Sequence, residues 1–235
     1  MSGPAAAGAP AADRPRVGVL GGTGELGLGL AGRWARAGVE VVIGSRDEHR
    51  AREAARSLAA LPGATAVEGL TNPEAAAAAE VVIIAVPAAA QPAVLTEAAA
   101  HLRGKIVVDA TVPLAAGDPT RLDPPPEGSA AQRADRILAA AGGARVVSGF
   151  HTVPARLLQD LDRKLAMDVL LCGDDDAAKA RVAELARIIG LRPIDCGPLT
   201  QAATLERLTP LIIGISKRYR RRHVGLTFTG LPDEL

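Results

Sequence analysis

The chain has 235 residues and 48% hydrophobic content, enough for one substantial domain with a smaller companion and a sizeable core. Its formal charge of +1 argues against a general polyanion binder, and 2% aromatic content leaves no stacking platform for single-stranded nucleic acid. Two cysteines, Cys172 and Cys196, make no disulfide framework and fit a reducing compartment. Residues 1–14 are mostly Ala, Gly and Pro and read as a disordered tail. They lack the basic and apolar regions of a signal peptide, and no stretch is long enough to span a bilayer. A cytoplasmic protein with no membrane partner is expected.

From residue 16 the pattern turns regular. Arg16 to Leu20 is a short apolar strand, followed by a helix from about Leu26 to Ala37 that Gly38 stops. Between them Gly22, Gly24 and Gly27 stand in G-x-G-x-x-G register, in the strand-turn-helix context of a dinucleotide fingerprint. The spacing assigns Gly22 to the tight turn, Gly24 to close approach of a pyrophosphate, and Gly27 to helix–strand packing. The N–H groups opening the helix would then face phosphate.

A second strand ends at Gly44-Ser45-Arg46, where an NAD enzyme would carry an acid for the ribose hydroxyls. Here a hydroxyl and a guanidinium follow instead, with Arg50 one helical turn on. Ser45, Arg46 and Arg50 therefore predict a seat for a 2′-phosphate, and NADP rather than NAD.

The next helix shows Ala51, Ala54, Ala55 and Leu58 at the spacing of one buried face. A short strand is expected near Ala66–Glu68, and Asn72-Pro73 reads as an N-cap and first residue of another helix. Val81–Ala85 is a β-branched run suited to a strand buried on both faces. A helix carrying Val94, Leu95, Ala98 and Leu102 follows, then a strand over Lys105–Asp109. This alternation predicts an α/β fold, a doubly wound Rossmann-type parallel sheet, with ligands beyond the carboxyl ends of the strands. Val86-Pro87 and Thr111-Val112-Pro113 fall at such ends.

Residues 114–128 read as a Pro- and Gly-rich connection, and a helix from about Ser129 to Ala141 leads to a sixth strand, Arg145–Ser148. Two more short strands are expected near Asp168–Leu171 and Arg192–Asp195. The helix between them carries Ala178, Val182, Leu185 and Ile189, and Asp174–Asp176 read as its cap rather than metal ligands. In the last helical segment Pro210 should kink or interrupt the run. The expected division is an NADP-binding domain over residues 15–148 and a smaller C-terminal α+β or helical domain over 149–235.

His151 follows the sixth strand directly and should point into the crevice. No Tyr-x-x-x-Lys pair, Walker loop, H-E-x-x-H or G-x-S-x-G elbow is present. So few acids and bases suit direct hydride exchange, which asks for two rings held face to face.

The motifs Val19–Gly27, Gly44-Ser45-Arg46, Phe150-His151-Thr152-Val153-Pro154-Ala155, Cys172–Asp176, Gly190–Pro193, Cys196–Leu199 and Leu208–Leu211 occur in an order that resembles the coenzyme F420-dependent NADP reductases. The resemblance implies hydride transfer between NADP(H) and an 8-hydroxy-5-deazaflavin, coenzyme F420, in a homodimer whose C-terminal part covers the crevice. It places NADP contacts on Thr23, Gly24, Glu25 and Leu26, together with Ser45, Arg46 and Arg50. Val86 and Val112 match positions beside the nicotinamide, and Ala155 one near its carboxamide. The deazaflavin side falls on His151, Val153, Thr209 and Val224, with Val153 setting ring separation by its bulk. Ala203 stands where the family often has arginine, and Arg207 where it has a small hydroxyl residue. The basic run Lys217–Arg222 is a candidate grip for the acidic tail of the deazaflavin. Competing readings are an NADPH-dependent imine or β-hydroxy-acid reductase and a non-catalytic NADP-sensing module.

Overall fold

The structure is a computed structural model and describes residues 14–232; the tail expected over residues 1–14 lies, but for its last residue, outside them. Short β-branched runs become strands buried on both faces: β1 (Val17–Leu20), β4 (Val81–Ile84) and β5 (Ile106–Asp109) are buried at every position. With β2 (Val41–Ser45), β3 (Val67–Thr71) and β8 (Arg145–Gly149) they form a parallel sheet in the order β8-β5-β4-β1-β2-β3. Each crossover carries a helix: α1 (Glu25–Arg36), α2 (Glu48–Ala59), α3 (Asn72–Ala78), α4 (Gln91–Leu102) and α5 (Ala130–Ala140). Alternate strand residues feed two cores. Val19, Ile43 and Ile83 face one with Leu30 and Trp34; Leu20, Val42 and Ile84 face the other with Leu95 and Leu138.

Beyond residue 148 the chain continues the same sheet. β9 (Asp168–Gly173) pairs antiparallel with β8, and β10 (Arg192–Asp195) pairs parallel with β9 across α7 (Asp176–Ile188). The acidic run before α7 is spent locally. Asp175 accepts from Ala178 N at 2.7 Å, Asp174 accepts from Leu199 N at 2.8 Å, and Asp176 pairs with Lys179 at 3.0 Å. After a 3₁₀ turn at Leu199–Gln201, α8 (Ala202–Arg218) runs through Pro210 without the interruption that the proline leads one to expect. Two further expectations shift. Residues 114–128 contain a hairpin, β6 (Leu114–Ala115) and β7 (Asp118–Leu122), and the cap of α3 is Thr71 rather than Asn72.

A short helix, α6 (Ala155–Gln159), lies against α1, and the two come so close that a Cβ on Gly29 would sit 2.6 Å from Leu158 Cβ. One buried cation holds this approach. Arg33 Nε donates to the Leu158 carbonyl at 2.9 Å, while Nη2 reaches the carbonyls of Leu157, Asp160 and Arg163 at 2.9, 2.6 and 3.0 Å. The Leu157 and Leu158 carbonyls are among those that a short helix leaves without internal donors, and the other two lie just past its end. Replacing Arg33 by Met keeps the bulk and strands those acceptors. Chemical denaturation is expected to show a loss of about 3 kcal/mol, and a loss under about 0.5 kcal/mol would show that water serves the carbonyls equally well.

Candidate functional site

The site begins where β1 ends. Gly21 takes the left-handed backbone, φ 79°, that the spacing had assigned to Gly22. A Cβ at Gly21 would lie 2.6 Å from Val86 Cγ1 and 2.8 Å from the Ala85 carbonyl. Gly22 sits beneath the turn, and Gly27 lets α1 ride directly on it, since a Cβ there would be 2.8 Å from the Gly21 carbonyl. Gly24 is the N-cap of α1 and no side chain caps that helix, so its leading N–H groups stay open to an anion. The turn is held from behind: Gly21 N donates to the Gly44 carbonyl at 3.0 Å and to Asn72 Oδ1 at 3.4 Å.

A cavity of about 470 Å³ opens above this turn. Thr23, Gly24, Ser45, Arg46, Arg50 and Val86 line it, with Gly21 and the buried Asn72. Asp47, the first acid after the strand, is used as the cap of α2 and accepts from Arg50 N at 3.2 Å. Both arginine side chains are exposed and have no ion pair among the described residues. Two free guanidiniums beside a serine hydroxyl and a row of open helix N–H groups form a cradle for two separated phosphates.

A larger cavity, about 670 Å³, lies on the far side of the start of α1, with Gly24 lining one and Glu25 the other. His151, Val153, Ala155, Thr209 and Val224 line it, with Ile212 and Ile213. Its outer rim carries Lys217, Arg220, Arg221 and Arg222. The backbone entering this wall is strained: Phe150, just past β8, has φ 67°, a conformation costing a non-glycine residue about 1–2 kcal/mol. Packing holds it, with the buried Phe150 ring edge-on to Trp34 at 5.9 Å and the indole N–H on the Leu185 carbonyl at 2.9 Å. That bend aims His151. Burial pushes the imidazole pKa down to about 4, against an opposing hydrogen bond to the Asp109 backbone, so the ring is neutral near pH 7. Its Nε2 has no partner among the described residues, and the His151 carbonyl accepts from Thr209 Oγ1 at 3.1 Å, joining the segment after β8 to α8. Such a surface offers apolar side chains and neutral polar groups, with Glu25 at the start of α1 and Arg156 on α6 as its other charged lining.

The structure thus brings the sequence-predicted residues to two adjoining cavities. Thr23, Gly24, Ser45, Arg46, Arg50 and Val86 line one; Glu25, His151, Val153, Ala155, Thr209 and Val224 line the other. Glu25, matched to an NADP contact, lies on the second. Gly22, Leu26, Gly27 and Val112 line neither: the two glycines shape the turn, Leu26 packs on the core, and the Val112 carbonyl accepts from Leu114 N at 2.9 Å. Ala203 and Arg207 are also off both walls. Asn72 escaped the sequence reading because Asn-Pro before a helix signals a cap. Its actual use, bracing the glycine turn, depends on a partner 51 residues away.

Comparison with known proteins matches residues 16–113 to a family described as NADP oxidoreductase, coenzyme F420-dependent. The F420-dependent NADP reductase of Methanothermobacter thermautotrophicus is 42% identical over 93% of this chain and 97% of its own. That of Methanocaldococcus jannaschii is 39% identical over 92% and 99%. A crystal structure from Arthrobacter sp. fb24, provisionally assigned as an F420-dependent NADP reductase, superposes with a TM-score of 0.78 at 33% identity, over 92% of this chain and 99% of that one.

Proposed function

The chain belongs to the F420-dependent NADP reductases, and from that premise we propose how its two cavities divide the work. The protein is an oxidoreductase that moves hydride reversibly between NADP(H) and the 8-hydroxy-5-deazaflavin coenzyme F420. The single observation that carries the division is the pair of cavities on either side of the start of α1, one lined by phosphate-binding groups and the other by Val153, Ile212, Ile213 and Val224 with a neutral His151 and a basic rim.

In this reading Ser45, Arg46 and Arg50 hold the 2′-phosphate, and the open N–H groups after Gly24 hold the pyrophosphate. Val86 borders the nicotinamide, with Ala155 near its carboxamide; Val112, which lines neither cavity, takes no part. Val153 and Ile213 supply floor and wall for the deazaflavin, and the neutral His151 faces it without placing a charge beside the transferred hydride. The NADP seat falls within residues 15–148 and the deazaflavin cover within 149–235. A protein that purifies with tight NADPH binding and no deazaflavin turnover would favour the sensing module. NADPH oxidation with imines or keto acids would favour the other reductases.

We also propose a homodimer. Leu211, Ile215 and Tyr219, at 58%, 37% and 68% exposure, form one apolar line along α8 that a second copy of the chain would cover. Leu211→Glu is expected to convert the dimer to a monomer in sedimentation; wild-type protein sedimenting as a monomer at micromolar concentration would end this proposal.

The test of function follows NADPH and NADH as hydride donors at the deazaflavin absorbance band. Wild-type protein should prefer NADPH, and Arg46→Asp should lower kcat/KM for NADPH by about 100-fold while changing that for NADH by less than about threefold. Equal losses would show that Arg46 does not read the 2′-phosphate. Because Lys217, Arg220, Arg221 and Arg222 rim the second cavity, KM for an acidic-tailed deazaflavin should rise several-fold between low and high ionic strength. A flat dependence would remove the rim from the binding site.

A further inference from the structure

One wall of the larger cavity is a single helix. Thr209, Ile212, Ile213, Ser216 and Lys217 all project from α8, so the setting of α8 fixes the width of that cavity. What fixes α8? One turn before Thr209 stands Glu206, a carboxylate only 1% exposed. Its two oxygens accept from the backbone N–H groups of Ala130 and Ala131, at 3.1 and 3.2 Å. These open α5, and the next, Gln132 N, donates to Ser129 Oγ at 3.0 Å. A helix start with orphan donors and a positive dipole end offers a buried carboxylate partners for both of its oxygens. Burial and the nearby Asp109 raise its pKa to about 7, while the two N–H groups and Arg133 pull the other way.

The start of α5 is itself locked to the end of β5. Gln91 Nε2 donates to the Ala130 carbonyl at 3.0 Å, to Thr111 Oγ1 at 3.1 Å and to the Asp109 carboxylate, and Arg133 Nε donates to Gln91 Oε1 at 2.7 Å. A continuous polar path therefore runs from the sheet through α5 to Glu206, and from α8 back to His151 through Thr209.

We propose that Glu206 is a positioning residue for the deazaflavin cavity: its carboxylate, gripping two N–H groups of α5, sets α8 at the spacing that the second ring system needs. The inference rests on the functional reading above and adds to it a residue that touches neither cavity. Glu206→Gln keeps the size but turns one acceptor into an NH₂ facing a backbone N–H, which forces α8 to move or the bond to break. KM for the deazaflavin, and its Kd from quenching of its own fluorescence, should rise about tenfold, with kcat changed less than threefold. The Kd for NADPH should stay within twofold, since the smaller cavity takes nothing from α8. Ser129→Ala removes the neighbouring cap of the same helix without touching Glu206, and should lower Tm while leaving the deazaflavin KM where it was. If Glu206→Gln does not fold, Glu206→Asp, with the charge on a shorter arm, carries the same measurements.

An unmoved deazaflavin KM in a folded variant overturns the proposal, as does an equal rise in the NADPH and deazaflavin constants. A Ser129→Ala variant that raises KM as much as Glu206→Gln would reduce Glu206 to general support of α5. A wild-type protein without deazaflavin turnover instead overturns the functional reading, whereas wild-type turnover with an unmoved variant overturns the role of Glu206 alone.

Discussion

A phosphate can be gripped by backbone only where N–H groups are left without partners and nothing stands in front of them. Both conditions are met at the junction of β1 and α1, and both are steric in origin. Side chains at residues 21, 22 or 27 would collide with backbone or core atoms at 2.6–2.8 Å, so the turn exists only because three glycines coincide. The helix that follows forgoes a side-chain cap, a loss of about 1 kcal/mol. Burial of Leu30 and Trp34 against the sheet offsets it several times over. Stability is thus taken from the far end of α1 so that its near end can remain unsatisfied until an anion arrives.

The charges are distributed to the same purpose. Exposed guanidiniums sit at the outer edge of the smaller cavity and again at the rim of the larger one. Between them the surface carries Val86, Val153, Thr209 and a histidine that burial keeps neutral, with Glu25 at the start of α1. Hydride transfer moves two electrons and no free proton between the rings, so an ionised side chain between them would add field without chemistry. Two buried carboxylates nearby, Asp109 and Glu206, line neither cavity and accept from backbone N–H groups instead. Burial raises the pKa of both carboxyls, to about 6 and about 7.

Much of this was legible in the sequence because the signals are local. Continuous β-branched runs, the glycine register and Ser45-Arg46 each follow from a few adjacent residues, and they place the sheet and the smaller cavity. What escaped depends on partners distant in the chain. Pro210 leaves only the Glu206 carbonyl without its helical donor, and α8, held through the Glu206 side chain and Thr209, runs through it. The hairpin at 114–122 has no alternation of apolar residues to announce it, being half-exposed along both strands. Thr71 caps α3 because Glu74 reaches back to it, accepting from its N–H at 3.1 Å, which frees Asn72 to brace Gly21. Glu206 carried no local signal, since its donors lie 75 and 76 residues earlier.

Three of the pieces of chain that line the larger cavity are each tied to a neighbouring element by directional polar contacts as well as by apolar packing. Arg33 binds the carbonyls behind Val153 and Ala155 to α1, and Glu206 binds α8 to α5. The third wall, at Val224, is strapped down at Asp168 on β9. That buried carboxylate takes both Arg192 donors at 2.7 and 2.9 Å and accepts from Phe228 N at 2.6 Å, while its own N–H donates to the Leu226 carbonyl at 2.8 Å. The Arg192 bonds hold the Asp168 pKa below the ordinary range. Apolar contacts tolerate sliding by a fraction of a side chain, whereas a bidentate ion pair or a carboxylate on two N–H groups has one geometry. Two flat rings exchange hydride only at a narrow range of separations, so walls fixed by directional bonds suit the reaction better than walls that merely pack.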